Sequence, residues 1–211
     1  MPLRIVYLHG FASSPQSGKA QFFKQKFAEH GVPVEIPQLD EDNFEALSIT
    51  GQLGVVDRAV AGKPAVLMGS SLGGYLAALY AARHPETIQR LILMAPAFRF
   101  PSMWRRRYTD QELAEWKRTG VSPVFHYAYS AEKMLGYQFL EDSQLYEAEP
   151  QFAQPALIFH GTEDEVVPAA FSREFAATHE NVELHLMQSG HELKDVLDPM
   201  WALTCRFLSL D

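Results

Sequence analysis

The sequence predicts an α/β protein, a mostly parallel sheet of six strands with helices on both faces. Two observations carry this. Short, nearly continuous apolar runs alternate with amphipathic segments along the chain, and a strand covered on both faces reads as such a run. The 211 residues are 47% hydrophobic and 21% charged, enough for one domain with a sizeable core. That composition excludes a disordered chain, a collagen-like repeat and a disulfide-stapled miniprotein.

Each element has its own reason. Residues 4–8 form a β-branched apolar run that ends in His9-Gly10, a buried strand. Residues 18–30 carry apolar side chains at 20, 22, 23 and 27, a helix stopped by Gly31. A short strand is expected at 34–37, and one long amphipathic helix at 44–61, ending near Gly62. Residues 65–69 read as a third strand. An Ala-rich helix follows at 73–84, ended by Pro85. Strands are expected at 91–94, 156–159 and 182–187. A helix at 168–179 has Pro168 at its start, and a helix at 196–208 closes the chain.

The alternation breaks once. Residues 95–154 hold 12 of the 25 aromatic side chains, with seven basic and eight acidic residues. This stretch is expected to be a small, mostly helical cap over one end of the sheet, inserted within a single domain spanning 1–211. Its Arg105-Arg106-Arg107 run reads as a solvated helix face, because the local charge nearly cancels.

Lys plus Arg is 18 and Asp plus Glu is 26, a net charge of −8. An acidic surface argues against nucleic acid or an anionic membrane as the main partner. Cys205 is the only cysteine, so no intrachain disulfide or cysteine metal site is expected, and the thiol reads as inert. The start lacks the pattern of a signal peptide and no apolar run approaches 18 residues, so a cytoplasmic, soluble protein is expected. No phosphate loop, G-x-G-x-x-G helix opening, H-E-x-x-H or His/Asp cluster with metal spacing is present, so neither cofactor nor metal is expected. Nothing in the sequence indicates an oligomeric state.

Three stretches carry chemistry. Gly69-Ser70-Ser71-Leu72-Gly73 matches G-x-S-x-G between a predicted strand and a predicted helix. A nucleophile elbow needs that context, and the match puts the nucleophile at Ser71, not Ser70. The alternative is a Ser/Gly turn that only caps the helix. A serine hydroxyl needs a base, and His191 lies in the loop after the last strand. The other histidines end helices, sit in a strand or the insertion, or precede Gly in tight turns, as His9 and His160 do. The base needs a carboxylate to set its tautomer. Thr162-Glu163-Asp164-Glu165 follows the fifth strand, at the sheet end where open α/β sheets place their sites. Asp164 is the expected partner, with Glu163 and Glu165 as solvated loop charges. An oxyanion needs two backbone N–H donors. Leu72, next after the nucleophile, and Phe11, in the turn after the first strand, are the candidates.

With these residues in place, the chain resembles the α/β-hydrolase superfamily over nearly its full length. Tyr7-Leu8-His9-Gly10-Phe11, Ser13-Ser14-Pro15, Lys19-Ala20, Pro37-Gln38-Leu39, Gly69 to Tyr75 and Ala95-Pro96-Ala97 resemble the small bacterial esterases of the YqiA type. The insertion and second half, through Tyr129-Ser130 and His160-Gly161 to Val167-Pro168, are similar to palmitoyl-protein thioesterases and acyl-glucuronide esterases. The resemblance implies Ser71, Asp164 and His191 as a triad, in the superfamily's chain order, and Phe11 and Leu72 as oxyanion donors. It also implies a sheet without the two N-terminal strands of larger members.

The expected activity is hydrolysis of a small-molecule carboxylic ester or thioester through an acyl-enzyme. Amide or peptide cleavage by the same triad is an alternative within enzymes, and a non-catalytic binding protein of this fold is one outside them. Because the insertion leaves the carboxyl edge of the sheet after the fourth strand and returns at the fifth, just before the Asp164 loop, Trp104, Phe125, Tyr127, Tyr129 and Phe139 are expected to form an acyl-binding wall. Packing of these aromatics onto the sheet is the plainer alternative.

Overall fold

A computed structural model describes residues 3–210. The apolar runs form the strands β1 (Ile5–Leu8), β2 (Val34–Glu35), β3 (Ala65–Ser70), β4 (Ile88–Met94), β7 (Ala156–Gly161) and β8 (Val182–Met187). They pair in the order β2-β1-β3-β4-β7-β8, and every pairing is parallel.

Residue parity along the strands divides the core into two layers. Ile5, Tyr7, Val66, Met68, Ile92, Met94, Leu157 and Phe159 face one way. They pack with α1 (Gly18–Glu29) and α8 (Leu197–Leu208), through Phe23, Phe27 and Met200. Val6, Leu8, Leu67, Leu91, Leu93 and Ile158 face the other way. Against them lie α2 (Ile49–Val60), α3 (Leu72–Arg83), α7 (Ala169–Ala177) and much of the insertion. Strands β1, β3 and β7 and most of β4 are buried on both faces, which is why they read as unbroken apolar runs rather than alternating ones, while the edge strands β2 and β8 are only partly buried.

The sequence expected one helix over 44–61. The chain instead makes a short 3-10 turn at Phe44–Ala46 and restarts at α2. Ser48 causes the restart. It is extended, and its hydroxyl accepts the Gly51 N–H at 2.9 Å, an N-cap the amphipathic pattern conceals.

The insertion between β4 and β7 is also less helical than expected. It holds α4 (Phe100–Arg105), α5 (Asp110–Thr119) and α6 (Gln138–Ser143), but between α5 and α6 lies an antiparallel hairpin, β5 (Val121–His126) with β6 (Ala131–Gly136). Thr109 and Glu112 form a capping box that starts α5, and Gly120 ends it at φ +80°. The following Val-Ser-Pro-Val-Phe stretch has β-forming residues and a proline that an α-helix interior excludes. Arg105, Arg106 and Arg107 are exposed. Among the described residues, no helix is long and apolar enough to cross a membrane.

Candidate active site

The site is assembled from three turns at the carboxyl ends of β3, β7 and β8, parallel strands of one sheet. The first turn joins β3 to α3. Two glycines allow it: a Cβ on Gly69 would lie 2.2 Å from the Gly73 carbonyl oxygen, and one on Gly73 would lie 2.1 Å from that of Leu8. Strand and helix therefore approach closer than any side chain permits. Between them Ser71 is held at φ +53°, ψ −117°, a backbone state that costs a non-glycine residue about 1–3 kcal/mol. Its N–H donates to Met94 O at 2.9 Å, and its carbonyl accepts from Gly74, Tyr75 and Ala97. These bonds hold the strained turn and direct the side chain out of it.

The second turn follows β7. It is tied to the third, after β8, by two backbone bonds, Thr162 N–H to Met187 O at 2.8 Å and Glu163 N–H to Ser189 O at 3.0 Å. Asp164 is turned inward with its side chain fully buried, while Glu163 and Glu165 are exposed. Asp164 Oδ1 accepts the N–H groups of Val166 and Val167, each at 2.8 Å. Oδ2 accepts His191 Nδ1–H at 2.7 Å. The opposite ring nitrogen, His191 Nε2, lies 3.0 Å from Ser71 Oγ and accepts its hydroxyl. The loop bearing His191 is braced by a hydrogen bond from Ser189 Oγ to the Asp195 carboxylate. Ser71, His191 and Asp164, up to 120 residues apart in sequence, thus form one continuous hydrogen-bonded line.

A second histidine, His160, meets Asp164 from the other side. Burial alone would raise the Asp164 pKa. The hydrogen bonds from His160, His191 and Val167, with the charge of His191, outweigh it and hold the carboxyl well below the usual range. His160 is fully buried; its Nε2 lies 2.9 Å from Val167 O and 3.2 Å from Asp164 Oδ2. Two oxygens on one ring nitrogen require Nε2–H, so Nδ1 accepts the Ser172 hydroxyl at 2.7 Å. Sequence reasoning set His160 aside as a strand-end turn residue; the four-residue spacing to Asp164 was the available signal. Lys19, which the resemblance includes without a role, also lies in the interior. It is buried on α1, and that burial pushes its ammonium down to about 8, with Glu192 opposing, Lys194 assisting and Asp164 opposing.

The turn after β1 lies beside Ser71: a Cβ on Gly10 would lie 3.6 Å from Ser71 Cβ. Phe11 follows, and Leu72 opens α3 directly after Ser71. The five aromatics of the insertion divide into two groups. Trp104 and Phe139 are buried and pack on the Phe11 ring, with centroids at 4.6 and 5.5 Å. Phe125, Tyr127 and Tyr129, on and beyond β5, are 50%, 72% and 50% exposed. Their rings contact the hairpin itself, Phe125 on Tyr127 and Tyr129 on His126.

The model of the Uncharacterised protein family UPF0227 matches residues 4–208. The chain belongs to this family. It is 28% identical over 212 residues to the 2-hydroxymuconate semialdehyde hydrolase of Pseudomonas sp. strain CF600, covering 86% of this chain and 67% of that one. It is 30% identical over 211 residues to the enzyme of the same name from Pseudomonas putida, covering 86% and 66%. The chain thus spans about two thirds of the length of these relatives. Among solved structures it superposes on a chain from Agrobacterium vitis S4 with TM-score 0.85, 21% identity, and 97% and 87% of the two chains covered. Mouse alpha/beta hydrolase domain-containing protein 10 gives TM-score 0.81 and 20% identity over 98% and 89%. The UPF0227 chain has the α/β-hydrolase fold.

Proposed function

We propose that this chain is a serine hydrolase that cleaves small carboxylic esters or thioesters through an acyl-enzyme. The observation that carries the reading is the line Ser71 Oγ–His191 Nε2–His191 Nδ1–Asp164 Oδ2, with steps of 3.0 and 2.7 Å, on a serine at φ +53°.

In this reading Ser71 Oγ attacks the carbonyl carbon as His191 Nε2 takes its proton. Asp164 keeps the proton on Nδ1, so that Nε2 faces Ser71 as an acceptor, and stabilises the imidazolium that forms. The N–H groups of Phe11 and Leu72 receive the oxyanion. His191 then gives its proton to the departing alcohol or thiol. Water, activated by the same imidazole, attacks the acyl-enzyme and releases the acid. The half-buried Phe11 ring, backed by the buried pair Trp104 and Phe139, forms the apolar wall for the acyl group. Phe125, Tyr127 and Tyr129 stand at the rim and meet substrate on approach.

The hydrolase relatives at 28% and 30% identity support hydrolysis as the reaction class. Fluorophosphonate labelling tests it: wild type labels, Ser70→Ala labels, and Ser71→Ala does not. Folded wild type that takes no label refutes the reading and points to a binding protein. A panel of acetate, butyrate and octanoate esters and thioesters then sets the acyl length and leaving group.

A further inference from the structure

Behind the turn that carries Phe11 lies a small polar cavity of about 10 Å³, walled by Gly10, Phe11, Ala12, Asp40, Gln52 and His126, among others. That volume holds roughly one water-sized group. Three buried polar atoms in its walls have no protein partner: Gln52 Oε1 and both ring nitrogens of His126. His126 ends β5 with its side chain 1% exposed, and Nε2 is 3.9 Å from Asp40 Oδ2, too far for a direct hydrogen bond. Burial holds the ring below the ordinary histidine range, with Asp40 opposing, so the imidazole is neutral and offers one donor and one acceptor.

His9, also in the wall, is satisfied within the protein. Its Nδ1–H donates to Gly10 O at 3.0 Å and its Nε2 accepts Leu39 N–H at 3.3 Å. Among the described residues no group of three His, Cys, Asp or Glu side chains is arranged for a metal. What remains is one N–H donor, on His126, and three acceptors, the second His126 ring nitrogen, Gln52 Oε1 and Asp40 Oδ2, and a single water molecule complements the donor and two of the acceptors. Each atom left unpaired at such depth costs about 1–3 kcal/mol.

We propose that this cavity is a binding site for a single water molecule, and that His126, acting through it, is a positioning residue for the oxyanion turn. The water donates to Asp40 Oδ2 and Gln52 Oε1 and accepts from the His126 ring. The adjacent hairpin residue reinforces the link, since Tyr127 N–H donates to Ala12 O at 2.9 Å, where Ala12 holds φ +51°. The Gly10–Ala12 turn is thus held between Ser71 on one side and the insertion on the other. A shift there moves the Phe11 N–H, and loss of one oxyanion donor lowers kcat by about 10²–10³.

The proposal rests on the ester-hydrolase reading above, and the two fail separately. His126→Phe keeps the ring against Phe44 and Tyr129, and Gln52→Leu removes a second partner of the same water from α2. Each is expected to lower kcat about 10-fold with KM within threefold, while His126→Gln retains most of the wild-type kcat. The double variant should be little worse than either single one, because both remove the same water. Wild-type kcat in both single variants, or fully multiplicative losses in the double, overturns the proposal. A variant that melts early is replaced by direct observation. A high-resolution crystal structure should show solvent density within hydrogen-bonding distance of His126, Asp40 and Gln52, and no density overturns the site. Wild type that takes no fluorophosphonate refutes the hydrolase reading alone.

Discussion

Asp164→Asn changes almost no volume and reverses one proton in the proposed chain. The asparagine amide has two ways to sit. With its oxygen toward Val166 and Val167 N–H, both 2.8 Å from the present Oδ1, it keeps two buried hydrogen bonds. Its NH₂ then faces His191 Nδ1, now 2.7 Å from Oδ2. The opposite orientation sets the NH₂ against two backbone donors and forfeits both bonds. At about 1–3 kcal/mol for each buried group, less the weaker shared contact from His160, the first orientation wins by about 2–4 kcal/mol. It forces the proton onto His191 Nε2, where the ring can no longer accept from Ser71. The productive tautomer falls to roughly 1 part in 30 to 1 in 10³. Loss of the negative charge beside the developing imidazolium adds to this, so kcat/KM should drop about 10²–10⁴-fold; the equivalent change in a serine protease lowers kcat about 10⁴-fold. Initial rates on a chromogenic acetate ester, corrected for a Ser71→Ala blank, measure it. Glu163→Gln and Glu165→Gln, both at exposed carboxylates, should stay within about twofold. An Asp164→Asn enzyme within threefold of wild type refutes the assignment of Asp164 and the tautomer reasoning together.

Three further outcomes are expected. The Asp164 carboxyl titrates below its unfolded value, so its stabilisation is complete above about pH 5 and is lost as pH falls through the folded pKa. The Tm gap between wild type and Asp164→Asn should therefore be widest near neutrality and narrow steadily as pH falls below about 4, as read by thermal melts across pH. Gly73→Ala places a methyl 2.1 Å from the Leu8 carbonyl oxygen and should abolish ester hydrolysis, whereas Gly54→Ala, whose methyl would meet only Arg58 Nη1 at 3.6 Å, should leave it intact; an active Gly73→Ala enzyme would show that the turn relaxes without loss. Trp104→Ala and Phe139→Ala should each lower stability by about 3–5 kcal/mol and shift the ratio of kcat/KM between butyrate and octanoate esters. At the exposed Phe125, Tyr127 and Tyr129, alanine should change stability by no more than about 0.5 kcal/mol. Unchanged chain-length preference in Trp104→Ala and Phe139→Ala would remove the insertion from substrate choice.

Whatever a few consecutive residues encode was legible along the chain. Unbroken apolar runs specify strands buried on both faces, so the parallel sheet was legible. The turn holding Ser71 was legible because its geometry is set within Gly69–Gly73, where two backbones meet too closely for a Cβ. The Asp164 loop was legible as a loop with three carboxylates after a strand. Which of them turns inward depends on Val166 and Val167 N–H groups and on His160 and His191, only some of which are local. Ser48 and Gly120, single residues whose capping bonds outweigh the surrounding periodicity, divided one expected helix and opened a hairpin in a stretch read as helical. Only the folded chain settles which aromatics of the insertion are buried, because the same residue type serves core and surface. It alone gathered Asp40, Gln52 and His126 around one cavity, from a loop, a helix and a hairpin. Such a cluster leaves no periodicity or motif in the chain, since its hydrogen-bonding needs are met only across the folded interior.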